Sequence, residues 1–285
     1  MKHFNTLKVL IPMIGLLAFF AAGMGLFYQL PGEPYAFTSH RGENVMINGR
    51  GLYYYDTVSS AAQQQGNDVV TLFVAIPLLA VATRMAFRCS LRGRLLLTGT
   101  LGFFLYTYLS MCMLTAFNAL FLIYVAIFGL SLYAFIVCMM SFNLQDLPRH
   151  FSDRLPRGLI AALLFTIGAF LALTWLKRVL SPILTGAPPL LDNGTTMVIQ
   201  AMDLSLIVPL AILSGVLLLR RSAWGYLLTS VFVLKTIALG LAVSAMVVNL
   251  ILNGVPESAG IAIPFVVITI LNLMVVVTLW KNVQE

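Results

Sequence analysis

Apolar residues along the chain fall into eight long runs separated by short polar segments. The runs cover 8–29, 69–88, 94–116, 119–142, 158–180, 203–220, 224–250 and 259–280. Crossing the hydrocarbon core of a bilayer takes about 20 helical residues, so each run predicts a membrane-spanning helix, the sixth being the shortest. The fold class expected is therefore all-α, a polytopic transmembrane helix bundle. The longest polar segment, 30–68, opens with Pro31-Gly-Glu-Pro34, which cannot continue a helix. A Gly/Asn-rich piece follows, and Thr-Val-Ser-Ser-Ala-Ala-Gln-Gln-Gln over 57–65 then predicts a short separate helix. Asp56 is its expected N-cap, Gly66 its stop, and Asn67 or Asp68 the cap of the second membrane helix. Tyr53, Tyr54 and Tyr55 suit the membrane–water interface.

The polar punctuation recurs. Tyr-Tyr-Tyr-Asp56 is followed by Asp68, an apolar run broken by Pro77, and Ser90-Leu-Arg-Gly93; Leu-Leu-Asp192 is followed by Asp203, an apolar run broken by Pro209, and Ser222-Ala-Trp-Gly225. The pattern predicts two parallel four-helix repeats. Repeat 1 covers 1–142, a connector covers 143–157, and repeat 2 covers 158–285. This reading pairs Asp56 with Asp192 and Asp68 with Asp203, and predicts a second short helix over 193–201. Four spans per repeat is an even number, so the repeats would be related by an axis along the membrane normal, with functional sites expected between them. Asn118–Phe128 and Gly260–Ile270 match more loosely.

Charge then sets the orientation. Lys2, Lys8, Arg84, Arg88, Arg92, Arg94, Arg149, Arg154, Arg157, Arg220, Arg221 and Lys281 fall on one side, against Arg41, Arg50, Lys177 and Arg178 on the other. The positive-inside rule puts the first side, with both termini, in the cytoplasm. Composition agrees: 60% of residues are hydrophobic and 9% charged, where a soluble domain carries about 25% charge. The pI near 9.5 follows from topology, and no nucleic-acid surface is expected. The first run resembles a signal peptide but is longer than an h-region, so it is expected to remain a helix. Cys89, Cys112 and Cys138 form no Cys-x-x-Cys pair, and no disulfide is expected.

Lys235, in the middle of the seventh run, is the most conspicuous residue. A lysine there costs about 2.5–3.5 kcal/mol on insertion scales and marks a function or a buried partner. Its expected partner is a carboxylate reaching in from the outer layer, an anionic ligand, or an amide oxygen such as that of Asn272. The alternative is a buried or snorkelling lysine with no ligand. Asp56, Asp68, Asp192 and Asp203 are the second set: they line an outer vestibule attractive to cations, or simply cap helices. Pro77, Pro209 and Pro264 either free carbonyls for ion coordination or only kink their helices. Gly102, Gly129, Gly168 and Gly240 are expected to allow close helix packing.

The absences narrow the field. His3, His40 and His150 all lie outside the runs, so neither axial haem ligands nor an intramembrane metal cluster is expected. No hydrolase, metalloprotease, ATPase or kinase motif occurs. No catalytic residue, metal or cofactor is assigned. Tyr55-Asp-Thr, Gly66-Asn-Asp68-Val-Val-Thr-Leu, Ser90-Leu-Arg-Gly-Arg-Leu-Leu-Leu-Thr-Gly99 and Phe121-Leu-Ile-Tyr-Val-Ala together resemble a group of bacterial multi-pass membrane proteins with no assigned activity. That resemblance implies a bacterial plasma (inner) membrane location and no catalytic residues. The leading functional expectation is binding or transport of a small solute or lipid between the repeats, with Lys235 meeting an anionic group. Next comes a non-transporting sensor, assembly factor or accessory subunit, with a membrane partner or homo-oligomer. Third is a lipid-modifying enzyme using outer-loop carboxylates. A carrier needs a polar cavity reaching the midplane; an accessory protein is packed solid there.

Overall fold

The computed structural model describes residues 4–255 and 258–285, with Phe4 and residues 258–262 described as backbone only. Lys2, His3 and the first residues of the match at Gly260 lie outside the described side chains. Eight helices are long and apolar enough to cross a membrane, which marks a multi-pass membrane protein. They are α1 (Phe4–Phe27), α2 (Val58–Phe87), α3 (Leu91–Leu114), α4 (Phe121–Met140), α5 (Arg157–Thr185), α6 (Val198–Leu219), α7 (Ala223–Leu252) and α8 (Ser258–Asn282). Central positions go to α3 and α7. The first packs against α4, α7 and the second half of α2; the other packs against the first half of α2, α3, α6 and α8. Of the apolar window of α3, 72% is buried, against 22% for α8, which leaves most of its apolar surface exposed. Along the periphery α1 packs on α4, whereas α5 packs on α6 and meets α8 only lightly.

Both polar ends tie the chain together. At one end β1 (Tyr35–Thr38) and β2 (Asn44–Ile47) form an antiparallel hairpin, an element absent from the all-helical expectation. Arg41, beside its turn, donates to the carbonyls of Gly194 and Thr195 at 2.9 and 3.0 Å, and Glu43 accepts from the Leu191 N–H. The loop before α6 is thus held by the loop before α2. At the opposite end Phe151 bridges to Val283, and the Glu285 carboxylate accepts from the Ser90 hydroxyl and the Leu91 N–H, both at 2.8 Å. Burial raises the Glu285 carboxyl, but those hydrogen bonds and nearby Arg92 hold it below the usual range. A carboxylate at the start of α3 also suits the helix dipole.

One local construction occurs twice, 132 residues apart (71 to 203, 89 to 221). Thr71–Ala75 and Asp203–Ile207 are π-helical, and each is followed by a proline at the second residue, Pro77 or Pro209. Cys89 and Arg221 are left-handed, at φ 62° and 54°. Ser90 and Ser222, both extended, precede the next helix. Gly93 lies against the backbone of Met85 and Ala86, and Gly225 against that of Leu217 and Leu218. The wider π-turn ahead of each proline gives its ring room against the preceding turn, and α2 and α6 run through their prolines without a break. Pro264 likewise lies inside α8.

The outer segment corrects three expectations. No separate helix covers 57–65: Gly66, Asn67 and Asp68 are interior to α2, and Thr57 is the N-cap, accepting from Ser60 N–H at 3.1 Å. Asp56 is therefore not the cap. Residues 193–197 are turns and bends, and helix begins at Val198. Small polar residues with strong turn preferences were read as a helix–stop–helix, but in α2 the packing of Gly66 against α7 overrides them: a Cβ there would stand 2.6 Å from the Met246 Cα.

Candidate functional site: two carboxylate clusters inside the bundle

Lys235 stands where α3 and α7 cross closely. A side chain at Gly99 of α3 would put its Cβ 2.6 Å from the Leu234 Cβ and 3.0 Å from the Lys235 backbone nitrogen. The lysine side chain is 6% exposed and its Nζ lies 4.1 Å from the centroid of the Tyr106 ring on α3. That ring is a cation–π partner for a buried ammonium. The Tyr106 hydroxyl donates to Asp203 Oδ1 at 2.6 Å, and Trp175 Nε1 on α5 donates to Oδ2 at 2.8 Å. Asp203, 7% exposed, heads the π-turn of α6 and is the charge that acts on Lys235. Four spans thus meet in one cluster: α3, α5, α6 and α7. Of the partners expected for the lysine, the structure supplies the carboxylate, linked through Tyr106.

Asn272 does not take that part. Its Nδ2 donates to the Val233 carbonyl at 3.1 Å, and its Oδ1 is buried without a hydrogen-bond partner.

The second cluster belongs to the first four helices. Asp68, 1% exposed, accepts from the Tyr53 hydroxyl at 2.6 Å. Tyr108 and Tyr124 lie alongside with ring centroids 6.2 Å apart. Gly25 of α1 makes the space, because a Cβ there would overlap the Asp68 carboxylate and approach the Tyr53 hydroxyl at 2.9 Å. Tyr53 belongs to the outer loop, and its phenol is pushed well above the ordinary value by burial and by the Asp68 charge. Its carbonyl accepts from Asn48 Nδ2, so the loop is plugged into the bundle.

Asp56 lies close by, 4% exposed. Its Oδ1 accepts from the Ser60 hydroxyl at 2.9 Å and the Ala116 N–H at 3.1 Å, while Oδ2 is buried without a partner. Burial pushes its carboxyl up to about 6, against the lowering effect of those two bonds. Asp192 is exposed in a turn at φ 52°. Each of the three buried aspartates is thus bonded within its own surroundings and only Asp192 is open, so the four do not line one vestibule. The offset of 132 also sets Asp203 against Thr71 rather than Asp68, because the shared π-turn fixes the register. Tyr106 and Trp175 were not singled out from the sequence. Their signal was available only as a donor-bearing aromatic inside an otherwise apolar run.

Among the described residues, two grooves bear on where a ligand could bind. One, about 180 Å³, lies at the connector end beside Arg94, Asn143 and His150. The other, about 500 Å³, lies among α1, α2 and α7 at the hairpin end. Lys235 lines neither. Among the described residues no group of three His, Cys, Asp or Glu could hold a metal ion, and all three cysteines are free thiols. No protein-family model, curated protein or solved structure matches the chain.

Proposed function

We propose that this protein is a non-transporting integral membrane protein, a sensor, assembly factor or accessory subunit, in which the Asp203–Lys235 cluster pins the second four helices onto α3 of the first four. The observation that carries the reading is the closed state of that cluster. Tyr106 holds the lysine with its ring and the aspartate with its hydroxyl, and Trp175 takes the second carboxylate oxygen. Both groups are engaged within the chain, the ammonium by the Tyr106 ring and the carboxylate by two donors, and a solute would compete with these contacts. The recurring π-turn, proline and left-handed residue support two parallel four-helix repeats. The basic residues around Arg84–Arg94 and Arg149–Arg157 support a cytoplasmic position for the connector and both termini. The likeness to bacterial multi-pass proteins supports a plasma-membrane setting in a bacterium.

A solute carrier is the second reading. What favours it is that Asp203 heads a π-turn just before Pro209, and such turns concentrate at functional sites. The two readings separate in one experiment on purified protein. Melting temperatures are measured for wild type, Lys235→Met, Asp203→Asn and the double variant, each with and without a panel of small anions and amines. An interlock predicts that each single change lowers the melting temperature, that the double change recovers at least half the loss, and that no solute shifts the wild type. A solute that raises the wild-type melting temperature but not that of Lys235→Met overturns the proposal in favour of a carrier or receptor site.

A further inference from the structure

The groove among α1, α2 and α7 has a graded lining that follows the order of groups in a phospholipid. Outside the lining itself, Arg50 of the outer loop is exposed and donates at 3.2 Å to Oδ1 of Asn253, which directly follows Leu252 of the groove wall. Asn253 donates in turn to the Asn249 carbonyl at 2.8 Å, one helical turn or about 6 Å deeper. Asn249 Nδ2 then bonds the Ala62 carbonyl at 2.7 Å and Gln65 Oε1 at 3.3 Å. Gln65 is used there as an acceptor, and its NH2 group is left out of the pairing. Beyond this amide level the walls are Leu26, Val69, Ala245 and Val248, while Leu252 stands at the mouth beside Asn253. Val69, Val248 and Leu252 are 41%, 56% and 77% exposed on the bundle surface.

The groove lies beside the packed faces of α2 and α7. At Gly66 the helix backbones meet, since a Cβ would stand 2.6 Å from the Met246 Cα and nitrogen. On the α1 side of this contact the surface recedes, leaving about 500 Å³, within the range of small-molecule pockets. Under the two-repeat reading the positions matching Gly66 and Asn249 are Val198 and Phe117, so the lining is not repeated in the other half.

We propose that this groove is a binding site for one anionic phospholipid of the surrounding bilayer. Arg50 takes the phosphate, the Gln65 amide donates to an ester carbonyl, and an acyl chain lies between Leu26 and Val248. A guanidinium pairs with phosphate through two parallel hydrogen bonds. The amide ladder supplies a donor at the depth where the bilayer turns from polar to apolar. The site is independent of the Asp203–Lys235 cluster, so its failure leaves the functional proposal standing, and the reverse.

The test is lipid retention by the full chain in native mass spectrometry, after titration with phosphatidylglycerol or phosphatidylcholine of matched chains. Wild-type protein is expected to hold one phosphatidylglycerol at least tenfold more tightly than phosphatidylcholine. Arg50→Gln should remove that preference, and Val248→Trp, which fills the groove from an exposed position, should remove retention altogether. Leu252→Trp is a second filling variant at a still more exposed site, and melting temperatures establish that each variant is folded. Equal retention of the two lipids by wild type overturns the proposal. So does a preference for phosphatidylglycerol that survives Arg50→Gln, or retention that survives both filling variants.

Discussion

Asp68 and Asp203 are two buried carboxylates with the same first partner, a tyrosine hydroxyl at 2.6 Å, and different surroundings. Around Asp68 the neighbours are phenols: Tyr53, and then Tyr108 and Tyr124. The cluster ties the outer loop to the first four helices and contains no cation. Around Asp203 the tyrosine is shared with Lys235, and the other oxygen is held by Trp175. That cluster joins α3 to the second four helices. One acid–tyrosine bond thus serves as a loop anchor within one half and as a charged fastening between halves. What separates the two roles is a single amine.

The sharpest way to break this comparison is to remove each negative charge in turn. Asp203→Asn strands the buried Lys235 ammonium; the two groups are linked through Tyr106 rather than by a direct ion pair, so the loss falls below the roughly 3–5 kcal/mol of a broken buried pair, at about 2 kcal/mol. Asp68→Asn keeps an oxygen that can accept from Tyr53 and strands no cation, so its cost is that of a weakened hydrogen bond, about 1 kcal/mol. Denaturant or thermal unfolding in detergent should therefore rank Asp203→Asn below Asp68→Asn. Equal losses would mean that the lysine contributes nothing to the difference between the clusters.

The pH dependence of stability sharpens the first-half side. Asp56, beside the Asp68 cluster, has its carboxyl raised from 3.8 to about 6 by burial. A folded-state value above the unfolded one means that the folded protein binds the proton more tightly. The resulting stabilisation is complete below about pH 3.8 and is lost as the pH rises through about 6. The full difference, just over two pH units, corresponds to about 3 kcal/mol. Asp56→Asn should flatten the slope of melting temperature between pH 4.5 and 7.5. A slope unchanged in this variant would assign the effect to another group.

Much of this frame was legible in the chain. Eight apolar runs gave eight helices because, in a membrane, a backbone that leaves the helix loses its hydrogen bonds, so composition alone dictates local structure. Lys235 stood out for the same reason. The short helices over 57–65 and 193–201 were misread because turn residues such as Gly66 also serve close helix contact, and only the position of α7 distinguishes the two uses. The aspartates were read as caps or vestibule walls by spacing from one another. Their partners, Tyr53, Tyr106 and Trp175, come from a loop and from other helices, and no spacing along the chain encodes those meetings. The hairpin over 35–47 escaped because its strands are four residues long, too short for alternation to register.

The smallest effect expected has the opposite sign. Thr71 occupies the place in the first π-turn that Asp203 occupies in the second, and it is fully buried with its hydroxyl unpaired. A buried hydroxyl without a partner is a cost that an apolar group of similar shape avoids. Thr71→Val should leave stability unchanged or raise it by up to about 1 kcal/mol, read as a small upward shift in melting temperature. Asp203→Val, at the matching position, should lower it by about 3 kcal/mol, because Tyr106 and Trp175 lose their acceptor and Lys235 loses the nearby negative charge. A loss of stability in Thr71→Val would show that the first π-turn also uses its polar side chain. The contrast between the halves would then lie in the partners of the two turns rather than in the presence of a polar contact.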